Sequence, residues 1–119
     1  MTDDELFAVL EQALPGKAFK GLVQQGTPEP YLVFTRVSQT PQNDLCGYAD
    51  ADVMHYQIDS YAKTLTQAQG VMRTVLGLLR ACPDPPLVYI EQDMYEQDTR
   101  IHRTMIDIST WYEPEQVTQ

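Results

Sequence analysis

Apolar residues in this chain recur at two different periods, and the change from one to the other outlines the elements. Leu6, Phe7, Leu10, Ala13 and Leu14 repeat at helical spacing. Ahead of them Thr2 and Glu5 form a T-x-x-E capping box, in which each side chain can satisfy a backbone N–H of the first turn. Pro15-Gly16 stops the helix. GKAFKGLVQQGTPEP, residues 16–30, keeps no period and holds two prolines that favour extended backbone, so it reads as an irregular connector. YLVFTRVSQ, residues 31–39, is rich in β-branched and aromatic side chains and predicts a strand. A polar, turn-rich segment follows, TPQNDLCGYADAD, residues 40–52. Strict alternation then covers 53–61: Met54, Tyr56 and Ile58 point one way, His55, Gln57 and Asp59 the other. That is the pattern of a sheet with one wet face.

Three residues, Ala62-Lys63-Thr64, carry the chain from this strand into a second helix. Thr64 and Gln67 make another capping box, and Leu65, Ala68, Val71, Met72, Val75, Leu78, Leu79 and Cys82 form a broad apolar stripe that ends before Pro83. PLVYIEQDM, residues 86–94, and RIHRTMIDISTWYE, residues 100–113, predict two more strands joined by an acidic turn. The order is α-β-β-α-β-β. It predicts an α+β fold with a mainly antiparallel four-stranded sheet and helices packed on one face, in a single domain of residues 1–119.

Composition narrows the function. The 119 residues suit one modest core, and no apolar run approaches the roughly 20 residues of a membrane span. The first residues, MTDDELFAVL, carry acids where a secretory signal carries bases, which argues against one. Seventeen acids against eight bases leave a net charge of −9. Such a surface repels phosphate and disfavours nucleic-acid binding. The acids bunch at Asp3, Asp4 and Glu5, and again at Glu91, Asp93, Glu96 and Asp98.

Candidate chemistry is sparse. The strand-to-helix corner, SYAKT, lacks the small residues that let backbone N–H groups cradle a phosphate, and no G-x-S-x-G thrusts out a nucleophilic serine. His55 and His102 both fall in predicted strands; with Asp59 or Asp107 they could form an acid–base pair or a metal site, but their spacing does not demand it. Asp50-x-Asp52 lacks the rest of a calcium loop. Cys46 and Cys82 make no metal spacing and read as free thiols. Of the seven tyrosines, Tyr48, Tyr61, Tyr95 and Tyr112 sit at loop tips or strand ends, where amphipathic rings suit either protein contact or the ends of a core. The polar face of the second helix carries Thr66, Gly70, Thr74, Gly77 and Ala81, although glycine there costs about 1 kcal/mol against alanine. A face so small either admits another backbone or is indifferent surface.

GTPEPYLVFTRVS, HYQIDSYAKTLTQAQGVMRTVLGLL and RIHRTMIDISTWYE together resemble the tail-completion, or tail-terminator, family of long-tailed bacteriophages and prophages. The resemblance covers roughly residues 5–113 and rests on the QIDSYA strand leading into a helix and on the closing aromatic pair Trp111-Tyr112. It implies a structural virion protein without enzymatic activity or cofactor. Such a subunit assembles as a ring, typically of six, at the head-proximal end of the tail tube, where it stops tube growth and meets the head–tail connector. The protein is then expected in the virion tail, and in the host cytoplasm during assembly or from a prophage, with no membrane partner. DNA would pass through the ring without specific binding, eased by carboxylates in the lumen. The expected contacts are Leu45 and Tyr48 in the loop 40–52, docking to a neighbouring ring, and the small face of the second helix at Gly70 and Gly77. The patch meeting that face would be the sheet edge, or the acidic turn 93–98, with Asp93 and Glu96, meeting bases such as Arg73 and Arg80. A head–tail adaptor of the same assembly is the alternative, and a small cytoplasmic enzyme using His55 and His102 is a further one.

Overall fold

Residues 1–41 and 52–112 are described by the computed structural model. In chain order they form α1 (Asp3–Ala13), β1 (Ala18–Lys20), β2 (Tyr31–Pro41), β3 (Asp52–Ala62), α2 (Leu65–Arg80), β4 (Leu87–Glu96) and β5 (Ile101–Tyr112). Both helices begin where the capping residues place them. The Thr2 hydroxyl accepts the Glu5 N–H at 3.1 Å, and the Thr64 hydroxyl accepts the Gln67 N–H at 3.1 Å. Each such cap stabilises its helix by about 1 kcal/mol. Among the described residues no helix is long and apolar enough to cross a membrane.

The sheet has five strands in the order β1-β2-β3-β5-β4, and it is mixed, not a four-stranded antiparallel one. The extra strand lies inside the segment expected to be an irregular connector. Ala18, Phe19 and Lys20 run parallel to Leu32, Val33 and Phe34. Three residues are too few to show a period, and tertiary contact creates the strand: Ala18 is buried, and the backbone bonds Leu32 N–H to Lys17 O and Gly21 N–H to Phe34 O, both 2.8 Å, extend the ladder. Gly21 then turns the chain out of the sheet at φ +78°, a conformation that glycine adopts without steric cost.

The remaining pairs are antiparallel, β2 with β3, β3 with β5 and β5 with β4. The alternation read from the sequence decides which face is covered. Met54, Tyr56 and Ile58 join Leu32, Phe34, Ile106 and Ile108 in the core, under Leu6 and Leu10 of α1 and Met72, Val75 and Leu79 of α2. The apolar stripe of α2 is centred differently from the expected one. Leu76 is buried, whereas Leu65 is exposed and Leu78 lies at the margin of the face that α2 packs on β3 and β5.

One polar link ties the start of α1 to this core. The Tyr56 hydroxyl donates to Asp3 Oδ1 at 2.5 Å, and Lys20 Nζ lies 2.6 Å from Asp3 Oδ2. Burial raises the Asp3 carboxyl, but the bonds from Lys20 and Tyr56 outweigh it and hold the group below its ordinary value. Burial and the neighbouring carboxylate push the Tyr56 hydroxyl well above its usual range, so it stays a donor.

Tyr56→Phe removes a bond to a charged group and should cost about 1.5–3 kcal/mol in urea unfolding at neutral pH. Asp3 has a depressed pKa, so its contribution is present above its unfolded value of 3.8 and is lost as pH falls through the folded value. The gap between parent and variant should therefore narrow in acid; a gap constant down to pH 2 would contradict the link.

Candidate assembly surfaces

The two histidines do not meet. His55 pairs with Ser109 and points to the face away from the helices, whereas His102 pairs with Ala62 and points to the helix side. Seven residues of β3 separate the two levels, about 23 Å at the rise of a strand. His55 lies beside Tyr89, with ring centroids 6.1 Å apart, and Tyr89 shares a 2.9 Å hydroxyl bond with Ser109. His102 lies against Tyr95 at 4.7 Å. Asp107 borders the same shallow cleft as His55, while Asp59 is engaged elsewhere. Among the described residues no three His, Cys, Asp or Glu side chains gather in a way that would hold a metal ion. Cys82 is a free thiol that donates to the Leu78 carbonyl at 3.4 Å.

The expected contact residues fall into three groups. Leu45 and Tyr48, with Cys46 and Asp50, lie outside the described residues. Gly70, Arg73 and Gly77 are exposed on the outer face of α2, as the helical spacing requires. A Cβ placed at Gly70 or Gly77 would meet nothing within 4 Å, so packing inside the subunit does not demand either glycine. Asp93 is exposed on β4; its Oδ1 accepts from Thr104 at 2.9 Å and its Oδ2 from Gln69 at 2.9 Å, which fastens β4 to β5 and to the first turns of α2. Glu96 accepts from Thr99 at 3.2 Å in the turn that follows β4.

The helix-free face carries a cluster that the alternation pattern conceals. Asp59 was expected to face water, yet it is only 4% exposed. Arg103 Nε donates to its Oδ1 at 2.7 Å, and Gln57 Nε2 donates to its Oδ2 at 3.1 Å. The guanidinium also lies over the Tyr61 ring, 5.6 Å from the centroid, and Tyr61 stacks on Tyr31 at 4.9 Å. Burial alone would lower the Arg103 pKa; the Asp59 carboxylate outweighs it and raises it. Burial and then the Asp59 charge raise the Tyr61 hydroxyl. Arg103 stands opposite Tyr61, one diagonal from Asp59, so the pair becomes visible only when the β3–β5 register is known.

Beyond this cluster the described surface carries open clefts and an exposed apolar strand edge. An open cleft of 560 Å³ runs along the helix-free face between Val53, His55, Leu87, Tyr89 and Trp111. A second, of 480 Å³, lies at the far edge among Asp3, Asp4, Lys20, Arg36 and Gln39. Four successive residues of β4, Leu87, Val88, Tyr89 and Ile90, are exposed, and so is Trp111. A monomer seldom leaves such an apolar strand at the edge of its sheet.

Residues 1–113 match the family model described as Tail completion protein gp17. The chain belongs to this family. It is a structural protein of bacteriophage tail completion, and its place is the virion. Among solved structures 27 chains match. One, from a structure titled "Virion of native gene transfer agent (GTA) particle", has a TM-score of 0.65 at 11% identity, covering 87% of this chain and 84% of its own. At that identity the likeness is one of fold. Comparison with curated proteins gives no match.

In this family member the Asp59–Arg103 pair should act as a structural clamp. Arg103→Met leaves a buried carboxylate unpaired and should cost about 3–5 kcal/mol in urea unfolding. Asp59→Leu combined with Arg103→Met should recover most of that loss. A single variant as stable as the parent would show that the pair contributes nothing.

Proposed function

We propose that this protein is the ring-forming subunit that completes the tail tube and joins it to the head. Family membership over residues 1–113 carries the reading. Its partners are other copies of itself, six by family resemblance, the tail tube protein and the head–tail connector protein. DNA passes through the ring without a specific site, in keeping with a net charge of −9. The reading needs no cofactor and no catalysis. His55 and His102 have no joint role in it, and His55→Ala and His102→Ala should leave assembly unchanged.

A completion ring must add once to a finished tube and not polymerise alone, so its contacts are expected to be weak without the template. The outer face of α2 is one such contact in this reading. Gly70 and Gly77 leave open space there, and a partner's backbone can approach closely. Arg73 flanks that face and is exposed for a carboxylate of the partner. The segment between β2 and β3, with Leu45 and Tyr48, is assigned to docking on the adjoining ring.

Deleting the gene in a phage or prophage should give tails of uncontrolled length that fail to join heads, seen by electron microscopy. Tails of normal length joined to heads would refute the function. Gly77→Arg should keep the helical content and melting temperature of the parent, because the position is open, yet abolish assembly at the tail end. Normal assembly by that variant would remove the α2 contact and leave the function standing.

A further inference from the structure

We infer that neighbouring copies join edge to edge, the β4 strand of one lying antiparallel to the exposed part of β2 in the next, so that one sheet continues around the assembly. The inference rests on the ring proposed above and names its lateral contact.

Both edges of the sheet are open. β4 has β5 on one side and, among the described residues, no strand on the other. At the opposite edge β1 covers β2 only across Leu32–Phe34, because it is three residues long. Residues 35–40 of β2 are all exposed, and Val37 is 61% exposed. Proteins usually blunt a long edge with charge, proline or a covering segment. Leu87, Val88, Tyr89 and Ile90 carry no charge or proline, and the edge is broken only by a bulge at Tyr89, as β2 is by one at Val37.

Strand direction fits. β2 and β5 run one way, and β3 and β4 run the other. A second copy placed beside β4, with its helices on the same face, therefore presents β2 antiparallel to it. The contact is heterologous, one patch meeting a different one, and repeats into a ring when the rotation closes.

Height fits as well. Read straight across the sheet, Leu87 is level with Ser109, His55 and Ser38, and Ile90 is level with Asp107, Gln57 and Thr35. Closure requires rotation without a net slide along the axis. With the strands along that axis, the apolar end of β4 meets residues 35–38 of the next copy, where β2 is uncovered. Glu91 is level with Ile106, Ile58, Phe34 and so with Lys20 of β1. β1 already fills that lane beside β2, so only Leu87–Ile90 can pair with β2, and β4 parts from the next copy's sheet from Glu91 onward.

Charge fits too. Residues 87–96 hold three acids and no base, while the exposed part of β2 carries Arg36 and no acid; Lys20 is already paired with Asp3. A second β4 would repel the first, so a symmetric β4–β4 contact is disfavoured.

The test places a photoreactive benzophenone side chain at position 89, already aromatic and 61% exposed. Unlabelled and nitrogen-15-labelled copies are mixed, assembled on tail tubes and irradiated, and cross-linked peptides are read by mass spectrometry. Links from position 89 to residues 31–41 of a different copy are expected, in assembled material only. Links to α2 or β4 of another copy, or none between copies in assembled rings, would overturn the edge contact and leave the ring intact. If the unmodified protein never assembles at tube ends, the ring reading itself fails. Independently, Arg36→Glu should raise the concentration for half-assembly at least about tenfold. An unchanged value in a folded variant would also count against the contact.

Discussion

Everything in this subunit depends on how much sheet two helices can cover. α2 has 16 residues, a length of about 24 Å, and it lies over β3 and β5. With α1 it seals Tyr56, Ile58, Ile106 and Ile108 from water, and burying such side chains is the main favourable term in a domain of this size. Both helices lie on one face, so Leu87, Tyr89 and Ile90 on the helix-free face of β4 stay uncovered, and Val88 on the helix side is also exposed.

The polar interactions secure the parts that the core does not. Asp3 with Tyr56 and Lys20 ties the first turn of α1 to β3 and β1. Asp93 with Gln69 and Thr104 ties β4 to α2 and β5. Asp59 with Arg103 and Gln57 stiffens the helix-free face. These carboxylates are engaged within the subunit, so the acidity of the chain is not a single binding surface. Among the described residues these three polar clusters tie separate elements of the fold together.

A structural protein of tail completion has to present surfaces to several neighbours. The fold offers three of different character: an outer helix face of small residues, an apolar and acidic strand edge, and a strand edge of mixed charge at Asp3, Asp4, Lys20 and Arg36. Their separation around one sheet allows different partners to be engaged without competition for the same residues.

The helices, their caps and the inward face of β3 were legible in the sequence, because hydrogen bonding and burial impose periods of 3.6 and 2 on any chain that forms them. Thr2, Thr64, Met54, Tyr56 and Ile58 all act where their spacing puts them. The small face of α2 at Gly70 and Gly77 was legible for the same reason. The family followed from longer stretches of the same residues. Tertiary structure alone decided the rest. Ala18–Lys20 became a strand through its pairing with β2, which no three-residue pattern encodes. Asp59 found Arg103 across 44 positions, and His55 and His102 parted to opposite faces, through the register of β3 on β5. Register depends on every pair in the ladder at once, and no single residue announces it.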